Sequence, residues 1–491
     1  MTEASPVPDP KIERRTTIAL TLLVLILTWC YWKVDTDDAY IFYTYARNIA
    51  TGHGYVFNVG ERILGTTSPL YSLTLAALYM GLRPLRIVTI PGIGHLVGAV
   101  GLWVAAFLGM RILRDTGLRT GALFYPLIFL ASPLHRDAVG METFLTVALV
   151  ISAFYLYQRE RLVGVAVVSG LAVLSRPDAI IVPVILFADY VLTRRKLPPW
   201  KCIAILVLIL VAWAIFSAVY FGELLPHTLT AKVAQTRSGR WGTGFIFLRG
   251  LAELPWKVSA IFTLAALYLL FVDRSWFRHR VVVLIFLSNL LYLIAYGLVL
   301  NPPAYGWYYS PLSAGMALAP ALALDSLFGR LRSRSWFNAR AATVALVVVL
   351  SLAAVVRPIR TFKKGPSAKY EIYTKASAWL NDNAPDGSSL AANEIGVIGY
   401  CYRRGRIIDA LGLVTPGVAE HVARGDYGWY LHEYRPDYLM FNDPPRPVLE
   451  AMVEEPWFRE MYERATTIST ARRAVAIYRK RAPQSALFTP L

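Results

Sequence analysis

Charge is what this chain has least of where it is longest and most apolar. The runs Cys202 to Phe221 and Val281 to Leu300 hold no Asp, Glu, Lys, Arg or His. Each is long enough to cross about 30 Å of hydrocarbon. Over 491 residues only 17% are charged while 56% are hydrophobic, which excludes an ordinary soluble domain. Acids are the scarcer sign, 32 Asp and Glu against 50 Lys and Arg. The surplus of +18 lies in short basic clusters between apolar runs rather than along one face. That pattern fits the positive-inside rule and argues against nucleic acid as a partner.

Cysteine is almost absent. Cys30, Cys202 and Cys401 lie far apart, with no CxxC pair and no metal-type spacing, so a disulfide scaffold and a zinc site are both excluded. All three read as packing residues. Internal repeats and low-complexity segments are also missing. His135-Arg-Asp137 echoes a kinase catalytic loop, but no glycine-rich loop or DFG accompanies it. Gly396 and Gly399 read as turn residues, not a nucleotide fingerprint.

What is present is a series of apolar segments with polar punctuation. Thr16 to Trp32 follows Lys11, Arg14 and Arg15 and lacks a small-residue cleavage site, so it reads as a retained first span with a cytoplasmic N-terminus. Further spans are expected at about 70–82, 87–113, 121–132, 144–157, 163–174, 179–192, 202–221, 258–272, 281–300, 311–328 and 341–356. The fold class is therefore a polytopic α-helical membrane protein of about twelve or thirteen spans over 1–356. Hydropathy falls from Arg357, and short strands such as Arg406 to Asp409 and Tyr438 to Phe441 alternate with helical patterns around 370–380 and 420–434. Residues 357–491 are thus expected as a small α/β domain outside the bilayer. One conflict stands: counting from the N-terminus puts Arg83 and Arg86 on the cytoplasmic side, whereas counting back from Arg330 to Arg340 puts Arg111, Arg114 and Arg119 there. One crossing between Ser68 and Arg119 is miscounted.

The first span opens onto Asp35-Thr-Asp-Asp38, in a loop of residues 35–67 on the outer face. Charge next to hydrocarbon is costly and is kept there mainly for work. From Asp38 to Thr51 a surface helix is expected, with Ile41, Tyr45 and Ile49 on one side and Thr44, Arg47, Asn48 and Thr51 on the other. Asp37 and Asp38 are neighbours and do not share a helix face, so one points at substrate while the other holds it. One carboxylate suffices to displace a phosphate from a sugar: it takes the acceptor hydroxyl's proton, and the leaving phosphate is already a stable anion. That anion needs cations and hydrogen-bond donors. Lys232, His227 and Arg176 in the outer loops supply candidates. Glu142, at the outer end of a span, either orients substrate or caps a helix. Tyr308 and Tyr309 lie in an aromatic stretch that reads as an interfacial belt or as a lining for sugar or acceptor. Adjacent acids can bind a divalent ion, but with no third ligand at clear spacing no cofactor or metal is required.

Asp37-Asp-Ala-Tyr40, Tyr45-Ala-Arg-Asn48, Gly52-His-Gly-Tyr-Val-Phe-Asn58, Gly60-Glu-Arg62 and Gly65-Thr-Thr-Ser-Pro-Leu70 resemble the GT-C superfamily of polyprenyl-phosphate-sugar glycosyltransferases, most of all the AftB-type arabinofuranosyltransferases. Gly140-Met-Glu-Thr143, Ser175-Arg-Pro-Asp178, Leu225-Pro-His-Thr-Leu-Thr-Ala-Lys232, Asn393 to Gly399 and Ile408 to Gly412 are similar to the same group. The resemblance implies a catalytic acid carried onto Asp37 with Asp38 beside it. It also implies a lipid-linked donor in an outer-facing cavity, inversion at the anomeric carbon, and a soluble C-terminal domain on that side. Arg47 enters the candidate site through its motif. Two departures, His227 in place of Asn and a shorter C-terminal domain, bear on sugar and acceptor. The expected function is transfer of a sugar from a polyprenyl phosphate to a glycan, lipid or protein hydroxyl on the outer face of the cell membrane. A lipid-linked sugar transporter is the alternative; it predicts polar groups spread through the spans, which are almost free of them.

Overall fold

The computed structural model describes residues 10–34, 36–253 and 256–482; Asp35 of the acidic stretch lies outside them. α1 (Pro10–Tyr31) leads to α2 (Ala39–Ala50) and α3 (Pro69–Leu82). A run of membrane helices follows: α4 (Ile90–Asp115), α5 (Arg119–Leu130), α6 (Thr143–Gln158), α7 (Leu162–Ser175), α8 (Ile181–Arg194) and α9 (Trp200–Phe221). After α10 (His227–Arg237) and α11 (Ile246–Ala252) come α12 (Trp256–Phe271), α13 (Arg280–Ile294), α14 (Ser313–Leu331) and α15 (Ala339–Lys363). The chain is a multi-pass membrane protein: six of these helices have the length and hydropathy of a span, and four shorter apolar ones join them. α13 ends in a π-helical turn over Ala295–Leu300, and α15 runs on past the boundary expected at residue 356.

Arginine side chains bonded to carboxylates and to a backbone carbonyl mark one face of the bundle. Arg280 at the start of α13 grips Asp189 of α8, Arg159 meets Asp115 at the end of α4, and Arg330 reaches the Val272 carbonyl. Buried apolar residues of α1, α4 to α8 and α12 to α14 form one core behind that face.

α3 corrects the miscounted crossing. Arg83, just past its end, donates to the carbonyl of Ala50 at the end of α2 (3.4 Å), so α3 starts and finishes on the same side as α2. Its Tyr71, Leu75 and Ala76 are buried in the cluster that contains α2 and the C-terminal domain, not in the bundle core. With α3 removed from the crossings, Arg111, Arg114 and Arg119 fall on the same face as the other basic clusters, and the two counts agree.

The C-terminal domain adds α16 (Ala368–Asn383), β1 (Leu390–Ala392), α17 (Gly396–Cys401), β2 (Ile407–Asp409), α18 (Val418–Ala423), α19 (Trp429–Tyr434), β3 (Tyr438–Asn442), α20 (Pro456–Met461), β4 (Tyr462–Ser469) and β5 (Ala474–Lys480). Its sheet runs β2-β1-β3-β5-β4, parallel across the first three and antiparallel beyond. The single helix expected over 420–434 is two, because Gly425 takes φ +81° between them.

This domain sits on α2. Nearly all of α2 is buried, including Thr44 and Asn48 of its expected polar side. Asn48 donates to the carbonyls of Val56 and Phe57, both at 2.9 Å, so its polar face is spent on chain rather than on water.

Candidate active site

A cavity of about 340 Å3 opens where the α1–α2 loop, the α5–α6 loop, the end of α7, α10 and the segment before α14 converge. Its wall is mainly apolar, from Ile41, Phe42, Met141, Leu225, Leu229 and Leu413 among others. Five charged side chains enter it: Asp38, Glu142, Arg176, Asp178 and Lys232.

The two adjacent acids divide as their spacing requires: Asp37 is bonded to backbone and Asp38 faces the cavity. Asp37 accepts from the backbone N–H groups of Val397 (2.9 Å) and Gly396 (3.2 Å), which open α17. Gly396 has no room for a Cβ, which would collide with the Asp37 carbonyl. Asp37 is thus tied to the C-terminal domain and does not line the cavity. Beside it Glu394 is held by Lys369, Arg446 and the Tyr373 hydroxyl. Burial, then the charges of Glu394 and Asp38, push the Asp37 carboxyl up to about 7, against the Val397 hydrogen bond. Burial draws Glu394 up, but Lys369 and Arg446 outweigh it and hold that group low. Asp38 lines the cavity, and its carboxylate accepts no hydrogen bond from any described residue. Burial raises it and Lys232 opposes the rise.

Lys232 projects from α10 into the cavity, its Nζ 4.3 Å from the Tyr305 ring centre and 6.0 Å from that of Trp307. These two rings stack at 4.6 Å, so the aromatic stretch builds a platform under an ammonium. Burial lowers the Lys232 pKa, opposed by Asp38 and Asp409. Asp409 itself accepts from the N–H groups of Leu411, Leu413 and Val414, a turn that carries Leu413 to the cavity. Gly65 fits between Tyr45 and that turn where a Cβ would clash, which brings Thr66 and Thr67 to the wall.

Arg176 is committed elsewhere than expected. It donates to Glu142 (3.0 Å), to Asp178 (2.7 Å) and to the Tyr296 hydroxyl (3.1 Å), with the Tyr308 ring 5.8 Å away. Tyr308 lines the cavity. Three other candidates lie outside it. His227 faces Glu223 (2.9 Å), Arg47 donates to the Tyr400 carbonyl (2.6 Å), and Tyr309 donates to Phe247 (2.8 Å) while stacking on its ring. Asp178, Thr228 and Glu394 were not singled out from the sequence, although each sits within a motif that was: Ser-Arg-Pro-Asp, Pro-His-Thr and Asn-Glu-Ile-Gly. Among the described residues no three His, Cys, Asp or Glu side chains gather as metal ligands.

The chain has the GT-C fold of ArnT from Cupriavidus metallidurans, matching the structure bound to undecaprenyl phosphate with a TM-score of 0.61 and 13% identity over 96% of this chain and 98% of that one. The apo state matches at 0.62 and 12% identity, over 94% and 97%. In sequence the chain is similar to the terminal beta-(1->2)-arabinofuranosyltransferase of Mycobacterium tuberculosis, 26% identical over 265 residues, 47% of this chain and 40% of that protein. The protein of the same name in Corynebacterium glutamicum is 27% identical over 262 residues, 45% of this chain and 36% of its own. The match therefore spans less than half the length of these relatives. Residues 360–478 match a family described as a domain of unknown function, DUF8728.

Proposed function

We propose that this chain is an integral-membrane inverting glycosyltransferase that moves one sugar from a polyprenyl phosphate to a hydroxyl acceptor. The observation that carries the reading is Asp38: an acid without a hydrogen-bond partner among the described residues, facing an apolar cavity that also holds a buried lysine. Asp38 takes the acceptor hydroxyl's proton, the acceptor oxygen bonds to the anomeric carbon from the face opposite the phosphate, and the carbon–phosphate-oxygen bond breaks. The electron pair leaves with the polyprenyl phosphate, whose charge Lys232 balances. Asp37 fixes the loop against α17. The ArnT-like fold and the similarity to arabinofuranosyltransferases support a lipid-linked donor and make a pentofuranose the first sugar to test. The acceptor is a cell-envelope glycan, lipid or protein.

The cavity face is assigned to the outside of the cell membrane and the basic face to the cytoplasm, by the positive-inside rule. No metal is assigned to the chemistry, and transfer is expected to survive EDTA. Translocation without transfer fits less well, since the charged groups gather at one mouth instead of along the spans.

The test is transfer of radiolabelled sugar by membranes given a panel of polyprenyl-phosphate sugars. Asp38→Asn should lose at least about 100-fold at unchanged protein level, the usual worth of a general base. Asp38→Asn as active as wild type, or a wild type that transfers nothing, sinks the reading.

A further inference from the structure

The charges in the cavity sort into two unlike groups. Lys232 has no carboxylate within ion-pair distance among the described residues and stands over aromatic rings. Arg176 is buried between two carboxylates, so the group of Arg176, Glu142 and Asp178 carries a formal charge of −1. A phosphate is not drawn to a net negative group; a hydroxyl is, because an ionised carboxylate is a strong acceptor.

Glu142 has such an acceptor to spare. Its Oε1 takes the Arg176 hydrogen bond, while Oε2 is buried, belongs to a cavity-lining residue and meets no partner. The Thr228 hydroxyl on α10 is in the same condition: buried, cavity-lining and unpartnered. An unpaired buried polar atom is costly and calls for an explanation. Two in one cavity, one from each wall, define a binding pair.

Resting on the transferase reading, we propose that Glu142 and Thr228 recognise the hydroxyls of the transferred sugar while Lys232 alone holds the phosphate. Arg176 is a positioning residue: with Asp178 and Tyr296 locking its guanidinium, it fixes Glu142 with Oε2 turned to the substrate. The site takes a polyhydroxylated glycosyl unit, with discrimination vested in one or two of its hydroxyls.

The test uses the full-length protein in detergent, with undecaprenyl-phosphate pentofuranoses and hexoses and then the monodeoxy analogues of whichever sugar binds best. Binding is read as a thermal shift and transfer as KM and kcat. Wild type should lose at least about tenfold in affinity for one or two monodeoxy donors, the worth of a buried hydrogen bond to a charged group. In Glu142→Gln or Thr228→Val that discrimination should shrink towards unity for one hydroxyl each; the two lie on different walls, so a folding defect in one leaves the other to decide. Arg176→Lys should raise KM for the intact donor but not for the deoxy donor that Glu142 reads, a split that mere loss of packing does not produce. Unchanged discrimination in both Glu142→Gln and Thr228→Val overturns the proposal while leaving transfer standing. Wild type that binds and discriminates but transfers nothing overturns the transferase reading and keeps the site. No binding of any donor overturns both.

Discussion

Asp37 and Asp38 share a peptide bond and little else. The first is raised above the usual carboxylate range, so the folded protein holds its proton to higher pH than the unfolded chain, and ionisation costs stability. Stability should therefore fall as pH rises from about 4 towards about 7, while Glu394, held low by its cations, stays ionised throughout that window. A melting temperature that drops between pH 5 and pH 8 in wild type, with a smaller drop in Asp37→Asn, is the expected result. Asp38 faces the cavity, and of the two cations that lower its pKa, Lys232 and Lys369, Lys232 is the stronger influence. Replacing Lys232 with Met should move the acidic limb of the pH–rate profile to higher pH, besides weakening phosphate binding. An unmoved limb places the base elsewhere. The acidic pair was legible in the sequence because charge at a membrane exit is conspicuous. Which acid faces the cavity was not, because that is decided by Gly396 and Val397, some 360 residues away. Arg47 and Tyr309 belong to the right motifs but point into packing, a matter of side-chain direction that spacing alone does not settle.

At the scale of elements, α3 shows how an apolar pattern misleads. Leu73, Leu78 and Met80 are exposed like the residues of a span, yet the helix packs in the cluster of α2 and the C-terminal domain and its end is tied to α2. The conflict between the two counts of basic clusters was the available signal. In a Cys401→Ser background, Arg83→Cys should react with an impermeant maleimide from the same side as a cysteine on the C-terminal domain, such as Glu460→Cys. Arg114→Cys should need permeabilised cells. Equal labelling of Arg83→Cys and Arg114→Cys from one side rejects the surface placement. The strands β2 and β3 fell where short apolar runs put them, because strands buried on both faces read as continuous apolar runs. The helix over 420–434 broke at a glycine that the periodicity bridged.

For the whole molecule, the C-terminal domain and the helices α2, α3 and α10 bury their apolar residues in one cluster. The domain is therefore not separable from the site. Proteolysis of the intact protein should leave residues 368–480 resistant, and the same segment expressed alone should expose apolar surface and bind a hydrophobic dye. A soluble, cooperatively melting fragment counts against the shared core.

The hydrogen bonds from Gly396 and Val397 to Asp37 also set a clock. The acidic loop leaves the ribosome first, and the backbone that fixes it follows 359 residues later. At about 5–20 residues per second that is a wait of roughly 20–70 s. Throughout that interval the acids of the nascent protein stay unanchored, so under the proposed transfer reaction an unfinished chain has no assembled site with which to consume lipid-linked sugar.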